Sequence, residues 1–202
     1  MSERRTKLYA YADESGQDTH GVLFLVAVVV VSDERDALLD WLEGVEQDTR
    51  KGRVPWHRTR PRARAAYVER VLSDRRMLGA LFYAAHRMAG AVPYRTLTLD
   101  TVADALEWRA GGRPYKATVV IDGLRREEVR AVGIELRRRR IPAKKVRGAR
   151  DESHALVRLA DALAGFVRDA EEGHREHAAL RDRASAAGML RRVPGQEKSP
   201  RG

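Results

Sequence analysis

Three aspartates stand where an α/β chain commonly does chemistry. Asp13 follows the strand-like run LYAYA (8–12) and opens the tetrapeptide Asp-Glu-Ser-Gly. Asp122 ends a second such run, YKATVVI, and is followed by Gly123. Asp161 lies inside HALVRLADALAGF, where Leu156, Leu159, Ala160, Leu163 and Val167 form an apolar stripe at helical spacing. In parallel or mixed sheets, ligands collect beyond the carboxyl ends of the strands. Adjacent strand ends would bring Asp13 and Asp122 together, and a helix packed across that edge would add Asp161. Clustered carboxylates repel unless a cation offsets their charge. All-oxygen donors suit hard divalent ions, Mg²⁺ or Mn²⁺. Two such ions about 3.5–4 Å apart activate a water and stabilise the leaving oxygen in phosphodiester cleavage.

Each position also has an ordinary explanation. Asp13 can cap a turn through its own backbone, and Asp122-Gly123 is a common strand exit. Asp161 is harder to explain away, because its flank of the helix carries Val157, Ala164 and Gly165. Small neighbours allow close packing, which aims the carboxylate at protein or a cavity. Glu14 is a further catalytic candidate, as a fourth ligand or a water-positioning group. Strand alternation sends it to the opposite face from Asp13 unless the turn bends it back. Asp151 and Glu152 precede the last apolar helix, where they also serve as favourable helix-start charges, with Ser153 as its N-cap.

The elements that must position these residues alternate between strand and helix. Leu8–Ala12 and Val22–Val31 read as strands, the second apolar on both faces and therefore central. An amphipathic helix starts at Asp33 and another runs from Pro61 to Leu72, with Pro at its first position. Leu78–His86 reads as a strand and Leu99–Ala110 as a helix closed by Gly111 and Gly112. Tyr115–Ile121 is a strand, Arg125–Arg140 a charged helix, Lys144–Arg147 a short strand and His154–Ala170 a helix. The pattern predicts an α/β fold in one domain over 1–173. A helical extension over 174–190 and a disordered basic tail over 191–202 are expected to follow.

Composition narrows the partners. The chain has 202 residues, no cysteine and a formal net charge of +10, with only six lysines among its 39 basic residues. Disulfides and thiolate metal sites are excluded. The Val22–Val31 run is too short to span a bilayer and the N-terminus lacks a signal-peptide core, so a cytoplasmic protein without membrane contact is expected. A charge of this sign favours polyanions, whose neutralised phosphates release counterions. Biased Arg and Ala usage, with the arginines merely solvated, accounts for it equally well.

The basic residues concentrate in two places. Residues 50–64, RKGRVPWHRTRPRAR, interleave Trp56 and His57 with seven basic residues, among them Arg53, Arg58 and Arg60. The arginines can neutralise phosphates, and Trp56 either stacks on an unpaired base or anchors the loop in the core. The second cluster comprises Arg137–Arg140, Lys144, Lys145, Arg147 and Arg150.

The opening YADESG followed by a hydrophobic strand resembles the domain-of-unknown-function 3800 family. VVIDG (119–123) is similar to that family's central strand, and VRLADALAG (157–165) to its C-terminal helix motif. The three pieces come in the family's order and span residues 9 to 165. The resemblance implies a ribonuclease H-like fold, a mixed β-sheet flanked by α-helices. It also implies a divalent-metal site at Asp13, Asp122 and Asp161. Proteins of this fold are typically nucleases or nucleic-acid processing enzymes. Two departures stand out. Where many relatives carry Glu after the first long helix, this chain reads VPWHRTR, so either His57 substitutes as a ligand or that position is unused. Where a glutamine commonly precedes the helix Asp by three residues, this chain has Arg158, which either contacts a phosphate or forms a salt bridge.

The expected function is metal-dependent hydrolysis of RNA or DNA. The alternatives are a nucleic-acid-binding protein without catalysis, or a subunit of a defence or mobile-element assembly with protein partners.

Overall fold

Alternating polar and apolar residues in β1 (Thr6–Ser15) put Tyr9 and Tyr11 on one face of a sheet and Leu8, Ala10 and Ala12 on the other. The computed structural model describes residues 5–16, 22–87, 92–149 and 154–195. β2 (Leu23–Val31) is buried along its whole length and pairs antiparallel with both β1 and β3 (Leu81–Arg87). A strand apolar on both faces needs a layer on each side, and the helices supply them. β1 pairs parallel with β4 (Tyr115–Asp122), and β4 parallel with β5 (Ala143–Ala149). The short β6 (Leu190–Arg192) closes the other edge, and the order is β5-β4-β1-β2-β3-β6.

α1 (Arg35–Asp48), α2 (Pro61–Ser73), α5 (Ala155–Glu171) and α6 (Arg175–Ala186) build the core on the Tyr11 face. α3 (Tyr94–Ala110) and α4 (Val129–Arg138) cover the opposite face, against Phe24, Val26, Val28 and Val119. No helix among the described residues is long and apolar enough to cross a membrane.

Most elements fall where the sequence places them, and the differences have local causes. α3 begins at Tyr94, directly after Pro93, rather than at Leu99. It ends at Gly111, whose φ of +57° is the left-handed conformation that glycine adopts without cost. α4 starts only at Val129, because the Glu128 carboxylate accepts the Arg125 N–H and holds 125–128 in a turn. β3 starts three residues late, after a 3₁₀ turn over Arg75–Met77. The expected disordered tail from 191 is corrected in its first residues. Leu190–Arg192 pair with Leu81–Tyr83, and Val193 is buried, because the edge of β3 offers main-chain partners to an otherwise polar segment. Residues 196–202 lie outside the described residues, as do Arg150, Asp151, Glu152 and Ser153. The helix-start role expected of Ser153 is filled by His154, whose Nδ1 accepts the Leu156 N–H at 3.3 Å.

Candidate active site

The parallel pairing of β1 with β4 matches Ala12 to Ile121, so the next residues, Asp13 near the end of β1 and Asp122 at the end of β4, lie side by side. Alternation sets their faces. Tyr11 and Val120 pack into the core beneath α5, and residues two further along each strand share that face. α5 carries Asp161 and lies against β1, β2 and β4. Asp13, Asp122 and Asp161 therefore lie toward one end of the sheet, near enough for the charges of Asp122 and Asp161 to act on Asp13.

Asp161 is held by a loop rather than by its own helix. The main-chain N–H of Trp56 donates to Asp161 Oδ2 at 2.7 Å. That N–H is available because Trp56 opens a 3₁₀ turn (Trp56–Arg58), whose first amides have no partner within the turn. The indole seats on Gly165, one helical turn beyond Asp161. A Cβ at Gly165 would lie 2.0 Å from Trp56 Cδ1, so only glycine lets the ring approach. The Arg64 guanidinium covers the ring from outside, 5.1 Å from its centroid.

The charges of Asp122 and Asp161 act on Asp13. Asp13 is held well above the usual carboxylate range, first by its enclosure in protein, then by the negative charges of Asp161 and Asp122. A hydrogen bond from the Glu14 N–H to Asp13 Oδ1, 2.8 Å, opposes the shift only in part. Oδ1 of Asp122 is shielded from solvent. In its chemistry this donor set fits a hard divalent cation, whose charge would relieve the repulsion that raises Asp13. Its geometry is less complete. Among the described residues, no three His, Asp or Glu side chains surround a common point closely enough to hold an ion.

Glu14 does not join the three. Its carboxylate turns to the other face of the sheet and accepts the Thr98 hydroxyl of α3 at 2.5 Å. There it lines a concavity of about 250 Å³ shared with Asp122, Tyr94, Arg95 and Glu128. Strand alternation prevails over the turn, so the Glu14 side chain leaves β1 on the face opposite Asp13.

Two residues expected to contact nucleic acid are buried. Arg158 is 1% exposed and makes a two-pronged ion pair with Glu46 of α1, Nε to Oε1 at 2.8 Å and Nη2 to Oε2 at 2.7 Å. Of the two roles left open for it, the salt bridge is the one observed. Trp56 is 5% exposed, so it anchors its loop and presents no face to a base. His57, Arg58, Arg60 and Arg53 are exposed, and Arg53 sits 3.6 Å from Glu43. Lys144 and Lys145 are exposed on the edge strand β5, where lysine also discourages strand addition. Lys145 pairs with Thr118, four residues before Asp122, which puts it about 13 Å along the sheet from the carboxylates.

The sequence reading passed over several residues that complete the surroundings. Lys51 has no exposed side-chain surface; its Nζ donates to the Val54 carbonyl at 3.0 Å and stands 3.9 Å from Glu46. Tyr67, also fully buried, is raised well above its usual range by burial and by Glu46, with Arg158 opposing. His154 stacks on Tyr11, and burial together with Arg35 and Arg158 pushes its imidazole down, favouring the neutral form. Arg168, two helical turns beyond Asp161, reaches Ser15 Oγ at 3.2 Å and ties the end of β1 to α5. Only the i, i+7 spacing of Asp161 and Arg168 signalled any of this in the sequence.

A mixed sheet of this order, flanked by helices on both faces with carboxylates at the β1 and β4 ends, is a ribonuclease H-like α/β fold. Two solved structures show the likeness. The ribonuclease H2 from Pyrococcus horikoshii OT3 superimposes with a TM-score of 0.53 at 15% identity, covering 96% of this chain and 82% of that one. The RNase HII of a PCNA complex from Archaeoglobus fulgidus gives 0.50 at 16% identity, covering 96% and 97%. No protein-family model matches the chain, and no curated protein matches it in sequence.

Proposed function

We propose that this protein is a metal-dependent nuclease that hydrolyses phosphodiester bonds of RNA or DNA in the cytoplasm. Asp13, Asp122 and Asp161 would hold Mg²⁺ or Mn²⁺. The observation that supports this reading is the placement of Asp13 beside Asp122 on neighbouring strands with Asp161 on the helix above them, where the charges of Asp161 and Asp122 add to burial in raising Asp13. Folding such a cluster is unfavourable without a cation to offset it. The resemblance of YADESG, VVIDG and VRLADALAG to the domain-of-unknown-function 3800 family points the same way, as does the ribonuclease H-like fold.

The bound ions would supply an activated water and charge stabilisation at the leaving oxygen. The chain's own residues do the positioning. The Glu14 and Trp56 amides each occupy one oxygen of Asp13 and Asp161, which fixes the direction of the other oxygen. Arg168 and the Arg158–Glu46 pair hold α5 in place against β1 and α1. The exposed arginines of 50–62 supply cationic surface for a phosphate chain.

Cleavage of labelled single-stranded and duplex RNA, DNA and hybrid, with Mg²⁺, Mn²⁺ or EDTA, tests the proposal. Asp13→Asn and Asp122→Asn should each abolish divalent-dependent cleavage while circular dichroism stays unchanged. Cleavage that persists in both variants would sink it.

A second reading is a nucleic-acid-binding protein without catalysis, alone or as a subunit of a larger assembly. It is favoured by carboxylates that, among the described residues, do not close around a common point, by the missing acid in VPWHRTR and by the engagement of Arg158 in an ion pair. It predicts salt-sensitive binding that needs no metal.

A further inference from the structure

The loop that holds Asp161 has a second face. Residues Val54, Arg58, Thr59 and Arg60 join the end of α1 and the start of α2 around a concavity of about 820 Å³. Its charged lining is Asp48, Arg50, Lys51, Arg58, Arg60 and Arg62, five cations against one acid. Lys51 forms part of the floor, already committed to Val54 and Glu46. The other four are arginines that make no ion pair among the described residues. Arg62 and Ala63 also stand in the first turn of α2, where main-chain amides and the helix dipole favour an anion.

We infer that this concavity binds the phosphate backbone of a nucleic-acid strand and holds it beside Asp161, an inference that rests on the proposed nuclease reading. Arginine side chains match phosphate in a planar two-pronged geometry, and four of them unpaired in one hollow make a poor protein core and a good polyanion seat. The site reads no sequence. The aromatic residue of the loop is buried, so contact falls on phosphate rather than on bases. The seat is also close to the carboxylates. Val54 and Arg58 are each two residues from Trp56, so their Cα atoms lie within about 7 Å of the Trp56 Cα, and the Trp56 amide touches Asp161. A strand seated here is delivered to the site, whereas Lys144 and Lys145 stand apart on the edge strand.

The test uses the full chain carrying Asp13→Asn, so that binding is read without cleavage. Fluorescence anisotropy with labelled single-stranded and duplex 20-mers is followed from 50 to 300 mM KCl. Arg58→Ala/Arg60→Ala/Arg62→Ala should weaken binding about tenfold or more at 100 mM salt and lower the log–log salt slope by about 2–3. The effect should be the same for unrelated sequences. Arg138→Ala/Lys144→Ala/Lys145→Ala, which removes equal charge elsewhere, should change affinity less than threefold.

Equal losses in the two triple variants, or a larger loss in the second, would overturn the inference. So would preferential capture of this protein by anionic lipid vesicles through the same arginines. Localised binding together with no cleavage under any divalent ion would refute the nuclease reading and leave this site standing. Normal cleavage with affinity unmoved by the first triple variant would do the reverse.

Discussion

The Trp56 amide and the Asp161 carboxylate, 105 residues apart in the chain, are joined by a hydrogen bond of 2.7 Å. A carboxylate on a helix is thereby aimed by a loop, and the loop is in turn seated on Gly165 of that same helix. The face of α5 that carries Asp161 therefore positions its own partner.

Gly165→Ala tests that arrangement. The added Cβ would overlap the indole and push Trp56 off its seat, at an overpacking cost of about 1–3 kcal/mol. We expect a lower Tm, a red-shifted tryptophan emission and reduced cleavage. An unchanged emission with full activity would show that the loop does not depend on this contact.

The buried Arg158–Glu46 pair predicts a strongly non-additive result. Arg158→Met leaves Glu46 buried with only Lys51 at 3.9 Å, and should cost about 3–5 kcal/mol in urea denaturation. Glu46→Leu and Lys51→Met combined with Arg158→Met should recover most of that loss, because an apolar cluster of similar volume leaves no buried charge to solvate. A triple variant as unstable as the single one would show that the charged cluster is a net stabilising element.

Asp13 predicts a pH dependence with a definite sign. Its folded-state pKa is raised above the ordinary value of 3.8, so the fold favours the protonated form. The stability linked to that proton is fully present below the unfolded value and is lost as pH rises through the folded one. In EDTA, Asp13→Asn should be close to neutral at pH 3.5 and stabilising at pH 7. At this chain length each kcal/mol appears as about 2–4 °C in Tm. Mn²⁺ should then raise the Tm of the wild type and leave that of Asp13→Asn unmoved.

Glu14 separates the two faces of β1. Because its carboxylate serves Thr98 on the α3 side, Glu14→Gln should reduce cleavage less than about tenfold. Asp122→Asn should bring cleavage to background. Comparable losses in both variants would place Glu14 in the reacting site.

The sequence by itself determined the three aspartates, the order of strands and helices around them, and the centrality of β2. These follow from local physics: side-chain period, β-branched runs, and Pro or Gly at element ends. It also located the arginine-rich loop, since charge is a property of composition. Only the tertiary structure decided which way those residues face. Arg158 and Trp56 look like ligand-binding residues in a basic chain, yet α1 supplies Glu46 to one and α5 supplies Gly165 to the other. Lys51 reads as one more surface cation, but the folding of α1 against α2 buries it beside Glu46 and Tyr67. Asp13 gains its raised pKa first from burial and then from partners 109 and 148 residues away in sequence, at Asp122 and Asp161. Burial, ion pairing and charge repulsion are sums over neighbours in space, and no local pattern in the chain encodes which neighbours those will be.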